Sequence, residues 1–209
     1  MDIDLVPIRR YVDADNSCLF TSIAYLMNPS KLSETSKYEY RSIIADYLIN
    51  YNSWDNIFNN KDEKNKYIED IQDLNNWGGA IELRLFSDIF KIKIGSIDVQ
   101  TNRVDIYGET QLYDKIIYLI YNGVHYDPLV MNFSSTSDKD SDITKFSIDD
   151  FDILIKFRNL VNQFKDNNDY VDLNNIESLQ CETCGDKFKD EIKASDHAKN
   201  YDHWNFKQI

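Results

Sequence analysis

The sequence predicts an α+β protein in which helices cover a sheet, with a small metal-binding unit at the C-terminus. Three observations carry that expectation: apolar residues recur at helical spacing in the N-terminal part, strand-like runs punctuated by turn residues follow, and Cys and His residues cluster near the end.

Composition bounds what the chain can be. It has 209 residues, 42% hydrophobic and 28% charged, with six Gly and three Pro, which suits one well-buried domain plus a small appendage rather than a disordered or fibrous chain. The net charge of −13 works against nucleic acids and anionic lipid surfaces, whose binding relies on Lys and Arg. The longest unbroken apolar run, Ile116 to Tyr121, falls far short of the roughly 18 residues of a membrane span. The acidic start Met1-Asp2-Ile3-Asp4 lacks the basic and apolar regions of a signal peptide. The expectation is a cytoplasmic or nuclear monomer without nucleic-acid or membrane partners.

The elements follow in order. After an extended start from Asp4 to Val12, Asp15-Asn16-Ser17 places capping residues before Cys18 and the apolar positions Leu19, Phe20, Ile23, Leu26 and Met27, which marks a helix start and its core face. A second amphipathic run carries Tyr40, Ile43, Ile44, Tyr47 and Leu48, and a third helix starts near Ala80 after Trp77-Gly78-Gly79. Strands are expected over Lys91 to Val99, Arg103 to Tyr107 and Lys115 to Tyr121. Asn122-Gly123 then reads as a type I′ turn, which puts His125 on a returning strand from Val124 to Val130. The Ser, Thr and Asp-rich stretch from Asn132 to Asp142 reads as a solvated loop. A helix of Ser147 to Phe164 follows, with Ile148, Phe151, Leu154 and Ile155 as its packing face, and a polar stretch leads on to the Cys/His cluster.

Four of the three Cys and three His residues form that cluster, with the spacing Cys181-x2-Cys184-x12-His197-x5-His203. It fits a C2H2 zinc finger: two thiolates on a knuckle face two imidazoles on a helix, and Phe188 fills the small core. Four protein ligands leave the metal no open position, so Zn2+ is expected to be structural. Residues 181–209 hold five Lys, no Arg and six acidic residues, a poor balance for DNA.

One Cys and one His remain, Cys18 and His125. A single Cys is more often a small buried hydrophobe than a nucleophile. At the first turn of a helix, however, unpaired N–H groups and the positive end of the helix dipole stabilise a thiolate, and the N–H groups of Cys18 and the turn Asp15 to Ser17 face a developing oxyanion. His125 is the one histidine left to act as base, and Asp127, two residues along a strand, shares its face and can orient the ring. The same residues also suit an idle binding module in which Cys18 is a packed thiol.

The segments Asp15-Asn16-Ser17-Cys18-Leu19-Phe20, Trp77-Gly78-Gly79-Ala80-Ile81-Glu82 and Gly123-Val124-His125-Tyr126-Asp127-Pro128-Leu129 resemble the Cys-loop, central helix start and His-loop of the OTU (ovarian tumour) deubiquitinases. A C2H2 finger after the catalytic domain, with Phe206 nearby, is similar to the subfamily that works with the AAA segregase valosin-containing protein in endoplasmic-reticulum-associated degradation. The resemblance implies a papain-like, α/β/α-like sandwich with a C-terminal ββα finger, and cleavage of ubiquitin or a ubiquitin-like modifier. It implies Cys18 as nucleophile, His125 as base, Asp127 as third member, and Asp15 as the residue that helps shape the oxyanion pocket. Trp77, Gly78, Gly79 and Val124 would line the approach of the thin Gly-Gly tail of ubiquitin. Catalysis would need no cofactor. Ubiquitin and polyubiquitin are the implied partners, as is the segregase, through an upstream ubiquitin-like domain that such proteins often carry and this sequence does not show. On this reading residues 1–131 are the catalytic core, 132–146 a surface loop, 147–175 a packing helix and linker, and 176–209 the finger.

Overall fold

The computed structural model describes residues 5–51, 54, 57–133, 138–171, 179–188, 191–201 and 203–208. Strand β1 (Val6–Arg9) is followed by four helices, α1 (Cys18–Met27), α2 (Ser36–Asn50), α3 (Lys61–Gln72) and α4 (Ala80–Phe90). Strands β2 (Lys93–Asp98), β3 (Val104–Tyr107), β4 (Lys115–Tyr121), β5 (Tyr126–Asn132) and β6 (Phe146–Ser147) precede helix α5 (Phe151–Asp166). The main sheet runs β1-β5-β4-β2-β3, with β6 beside β4; β2 and β4 are parallel and the other pairs antiparallel.

Period-two alternation explains why helices lie on both faces. On β4, Ile117 and Leu119 join Val130 of β5 in a core with Leu19, Phe20, Ile44, Leu83 and Phe86 of α1, α2 and α4. Ile116, Tyr118 and Ile120, with Leu129 and Met131, face the other way onto Ile153, Phe157 and Val161 of α5. The result is a helix–sheet–helix sandwich.

Five sequence expectations need correction. Helix α3 was not foreseen because it buries only Ile68 and Ile71 of its twelve residues, too thin an apolar stripe to register as a period. Its start is marked by Asn60, whose side chain accepts from Glu63 N–H at 2.9 Å. Helix α5 begins at Phe151, and its buried face is Ile153, Phe157 and Val161. Of the expected face, Ile148, Phe151 and Ile155 are exposed and only Leu154 packs partly. Both stripes have helical spacing, and the position of the sheet decides between them.

The loop after β4 holds four residues, 122–125, because Tyr121 pairs with Tyr126. Gly123 has φ +103, but Asn122 is not among the described residues with positive φ, as a type I′ turn requires. Instead Asn122 Oδ1 accepts the N–H groups of Val124 at 3.2 Å and His125 at 2.8 Å. His125 therefore occupies the last loop position, one residue before β5.

The stretch after β5 is also not simply solvated. Residues 134–137 lie outside the described residues, but Asp142 is fully buried at its side chain. It accepts from Arg10 Nε and Nη2, each at 2.7 Å, from Asn132 Nδ2 at 2.6 Å and from Tyr25 Oη at 2.5 Å. A carboxylate with this many donors is stable in the interior.

The C-terminal unit forms a second sheet, β8-β7-β9, from β7 (Leu179–Cys181), β8 (Lys187–Phe188) and β9 (Phe206–Gln208), with helix α6 (Glu191–Tyr201). A third strand is thus added to the expected ββα pattern. Among the described residues no helix is long and apolar enough to cross a membrane.

Candidate active site

Cys18 opens α1 and is buried in the wall of a cavity of about 570 Å³, whose lining also includes His125 and Asp127. β5 and α1 pack against each other, and that packing brings together residues more than a hundred positions apart. His125 Nε2 lies 3.1 Å from Asp127 Oδ1, which leaves Nδ1 as the ring nitrogen for Cys18. Burial alone would lower the His125 pKa; hydrogen bonds with Asp127 and Cys18, and their charges, more than reverse this and raise it to about 10. Burial likewise pushes Asp127 up, but His125, the Val12 N–H at 2.8 Å and Arg9 hold it below the usual carboxylate range. The electrostatics favour an imidazolium beside the Asp127 carboxylate.

Of the Cys-loop N–H groups expected to face an oxyanion, only some are without a strong acceptor. Asp15 Oδ1 accepts the Ser17 N–H at 2.8 Å and the Asp15 N–H is spent on Asp13 O at 2.9 Å, so neither is free. The Asn16 N–H has no acceptor among the described residues, and the Cys18 N–H makes only a long 3.3 Å bond to Asp15 O. Ser17, the N-cap, makes no side-chain cap bond. These N–H groups therefore stay available to a developing negative charge beside Sγ. Asp15 itself is held by Lys37 Nζ at 3.0 Å.

Trp77, Gly78, Gly79 and Val124 all line the same cavity. The Trp77 indole N–H donates to Asn16 Oδ1. Gly78 is small for an internal reason as well as to leave space: a Cβ there would stand 2.9 Å from the Phe20 ring. At Gly79 a Cβ would meet nothing closer than 3.9 Å, and its N–H is capped by Glu82 Oε2 at 2.5 Å.

Sequence reasoning missed two residues behind the site. Arg41, 1% exposed, donates to Asn16 O at 3.0 Å, Ser17 Oγ at 3.0 Å, Ile71 O at 2.8 Å and Asn76 O at 2.7 Å. It ties the Cys-loop to the segment that enters Trp77-Gly78-Gly79. Burial lowers its pKa to about 10, against the charges of Asp15 and Glu82. The available signal was spacing, since Arg41 shares the buried stripe of Ile44, Ala45 and Leu48 on α2. The second residue is Arg9, whose Nε donates to Asp127 Oδ2 at 2.8 Å.

This constellation has known counterparts. A profile of the OTU-like cysteine proteases matches residues 13–136. The chain belongs to the OTU-like cysteine protease family. It is 36% identical over 202 residues to a Dictyostelium discoideum protein named ubiquitin thioesterase OTU1; the match covers 95% of this chain and 60% of that protein. It is 33% identical over 208 residues to an Arabidopsis thaliana protein named ovarian tumor domain-containing deubiquitinating enzyme 2, covering 96% of this chain and 97% of that one. Among solved structures, an ovarian tumor (OTU) domain in complex with ubiquitin superposes with a TM-score of 0.66 at 26% identity, over 80% of this chain and 92% of the other. The chain spans about 60% of the length of the first curated relatives it matches.

In this OTU-like protease the C-terminal unit that carries the Cys/His cluster contributes Glu182, Ser195 and Trp204 to the cavity wall. The donor atoms of Cys181, Cys184, His197 and His203 lie within 4.8 Å of one another. Cys184 Sγ and His203 Nδ1 are each 3.3 Å from His197 Nε2. Tetrahedral zinc with thiolate and imidazole ligands separates its donors by roughly 3.3–3.8 Å, so the set fits that metal. Of the two histidines, helix α6 carries only His197; it ends at Tyr201, and His203 lies in the irregular segment that leads into β9. The Phe188 ring packs on His197 at 4.7 Å and on Phe206 at 6.0 Å.

Proposed function

We propose that this chain is a deubiquitinating cysteine protease that hydrolyses bonds at the C-terminal Gly of ubiquitin, in polyubiquitin chains and conjugates. The observation that carries the reading is that Cys18 and His125 line one cavity, with Asp127 Oδ1 3.1 Å from Nε2 of the His125 ring and Cys18 near enough to help raise the His125 pKa. The names of the relatives and the ubiquitin bound to the similar OTU domain support the choice of substrate.

The Cys18 thiolate attacks the terminal Gly carbonyl, and the oxyanion is met by the N–H groups of Asn16 and Cys18. As the C–N bond breaks, the imidazolium of His125 gives its proton to the departing lysine amine, leaving a thioester on Cys18. Water then adds to the thioester while His125 takes its proton, and collapse releases ubiquitin and restores the thiolate–imidazolium pair. Asp127 keeps the ring oriented through both halves. Trp77, Gly78, Gly79 and Val124 flank the path of the Gly-Gly tail.

Cys181, Cys184, His197 and His203 would hold a structural Zn2+, a role supported by the two-thiol, two-imidazole donor set and its closed fourfold arrangement. The motif resemblance further supports a place beside the AAA segregase in protein quality control and ER-associated degradation, in the cytoplasm. Co-purification of the chain with that ATPase on ubiquitylated cargo tests this part.

A panel of di-ubiquitins of every linkage, incubated with the chain and with Cys18→Ala, tests the central reading. Cleavage by the former and none by the latter is expected, with unchanged folding. Equal cleavage by both would rule the nucleophile out.

A further inference from the structure

The segment that follows α5 touches two residues that hold the candidate triad, Arg9 and Asn122. Helix α5 ends in a turn at Asn168, whose φ of +58 is left-handed, a conformation Asn tolerates better than most residues. The turn is closed by Asp169 N–H to Phe164 O at 2.9 Å. It directs Asp169 onto Arg9, with Oδ2 2.5 Å from Nη1. The Arg9 guanidinium also lies over the rings of Tyr11, at 4.6 Å, and Phe164, at 4.7 Å. Two residues on, the Val171 N–H donates to Asn122 O at 2.7 Å. The carbonyl of Val171 lies so near Gly123 that a Cβ there would be 2.4 Å from it.

Both contacts end on the reacting groups. Asp127 Oδ1 serves His125 and the Val12 N–H, whereas Oδ2 has Arg9 as its partner. Asp127 is fully buried at its side chain, so no water replaces Arg9 there. Asn122, gripped by Val171, holds the His125 N–H through its own Oδ1 and donates to His125 O at 3.1 Å. The guanidinium fork is suited to joining two carboxylates in fixed directions, which an ammonium group cannot do.

We propose that residues 169–171 form a positioning strap for the catalytic pair: Asp169, acting through Arg9, fixes the Oδ2 edge of Asp127, and Val171, acting through Asn122, fixes the backbone of His125. Arg9 and Asp169 are positioning residues. The inference rests on Cys18, His125 and Asp127 being the reacting set. It joins the peptide that leads to the Cys/His unit mechanically to the catalytic imidazole, although that peptide touches no substrate.

The test uses the full chain with Asp169→Ala, Arg9→Ala, Arg9→Lys and the Asp169→Ala/Arg9→Ala double variant. Turnover of a fluorogenic ubiquitin C-terminal amide is measured against pH, and the His125 ring proton is followed by NMR in 15N-histidine-labelled chain. Asp169→Ala is expected to lower kcat about fivefold with KM within twofold, because an orienting group acts on the transition state. Arg9→Ala is expected to lower kcat at least about tenfold and to move the acid limb of the profile to higher pH, as Asp127 protonates sooner. Arg9→Lys restores the acid limb but only part of kcat. The double variant matches Arg9→Ala, since Asp169 works through Arg9. The His125 Nε2 proton broadens in Asp169→Ala. Wild-type kcat and an unchanged ring proton in Asp169→Ala overturn the strap, as do effects of the two substitutions that simply multiply. Absence of turnover in the unsubstituted chain overturns the proposed activity instead; ring-proton broadening in Asp169→Ala would then still support the strap.

Discussion

The indole N–H of Trp77 donates to the side-chain oxygen of Asn16, two residues before Cys18 and far from Trp77 in sequence. This bond ties the Cys-loop to the Trp-Gly-Gly segment in the lining of one cavity, and the Asn16 backbone N–H has no acceptor among the described residues.

Trp77→Phe keeps an aromatic ring but deletes that donor. Turnover of a ubiquitin amide is expected to fall about tenfold, at a cost to folding of no more than about 1 kcal/mol, because Trp77 is 44% exposed. Steady-state kinetics set beside a denaturant curve check both parts.

The charge on His125 makes its own pH signature. Its folded pKa is raised from 6.5 to about 10, so the stability it contributes is complete below the unfolded value and is lost as pH rises through the folded one. Both thermal midpoint and turnover are expected to hold near neutrality and to decline toward pH 10, where the proton donor for the leaving amine disappears. Asp127→Ala removes one of the groups that raise this pKa, so its alkaline limb is expected about one unit lower. A pH series on both proteins measures the difference.

Arg41→Met leaves the carbonyls of Asn16, Ile71 and Asn76 without their guanidinium donor in the interior. A destabilisation of about 3–5 kcal/mol is expected, with loss of activity following the unfolding. If Arg41→Met proved as stable as the parent in urea, the claim that this cation joins the two loops would be wrong.

Chelation separates the two units. Withdrawing the proposed zinc is expected to erase the dispersed NMR signals of residues 179–208 while leaving turnover of the ubiquitin amide within about threefold, since the proposed reacting groups lie at the start of α1, in the loop before β5 and on β5, and no ligand is among them. Chain-linkage preference is the property expected to move, because Glu182, Ser195 and Trp204 share the cavity wall.

What could be read in advance was whatever neighbouring residues encode. The capping run before Cys18, the periods of α1, α2 and α4, the strand character of β4 and the Cys/His spacing are local signals, and counting Cys and His left Cys18 and His125 as the candidate pair by elimination. Helix α3 escaped because its apolar stripe is only two buried residues wide, and Asn122 closes its loop by a side-chain bond that composition does not reveal.

Tertiary structure decided the rest. Nothing near Arg9 announces that it holds Asp127 and Asp169 at once, and nothing near Asp142 distinguishes a solvated acid from a fully buried one. Helix α5 carried two apolar stripes of equal merit until the sheet covered one of them. Local pattern determines which element forms and which chemistry it carries. Which distant charges meet, and which face is dried, depends on segments brought together only when the sandwich closes.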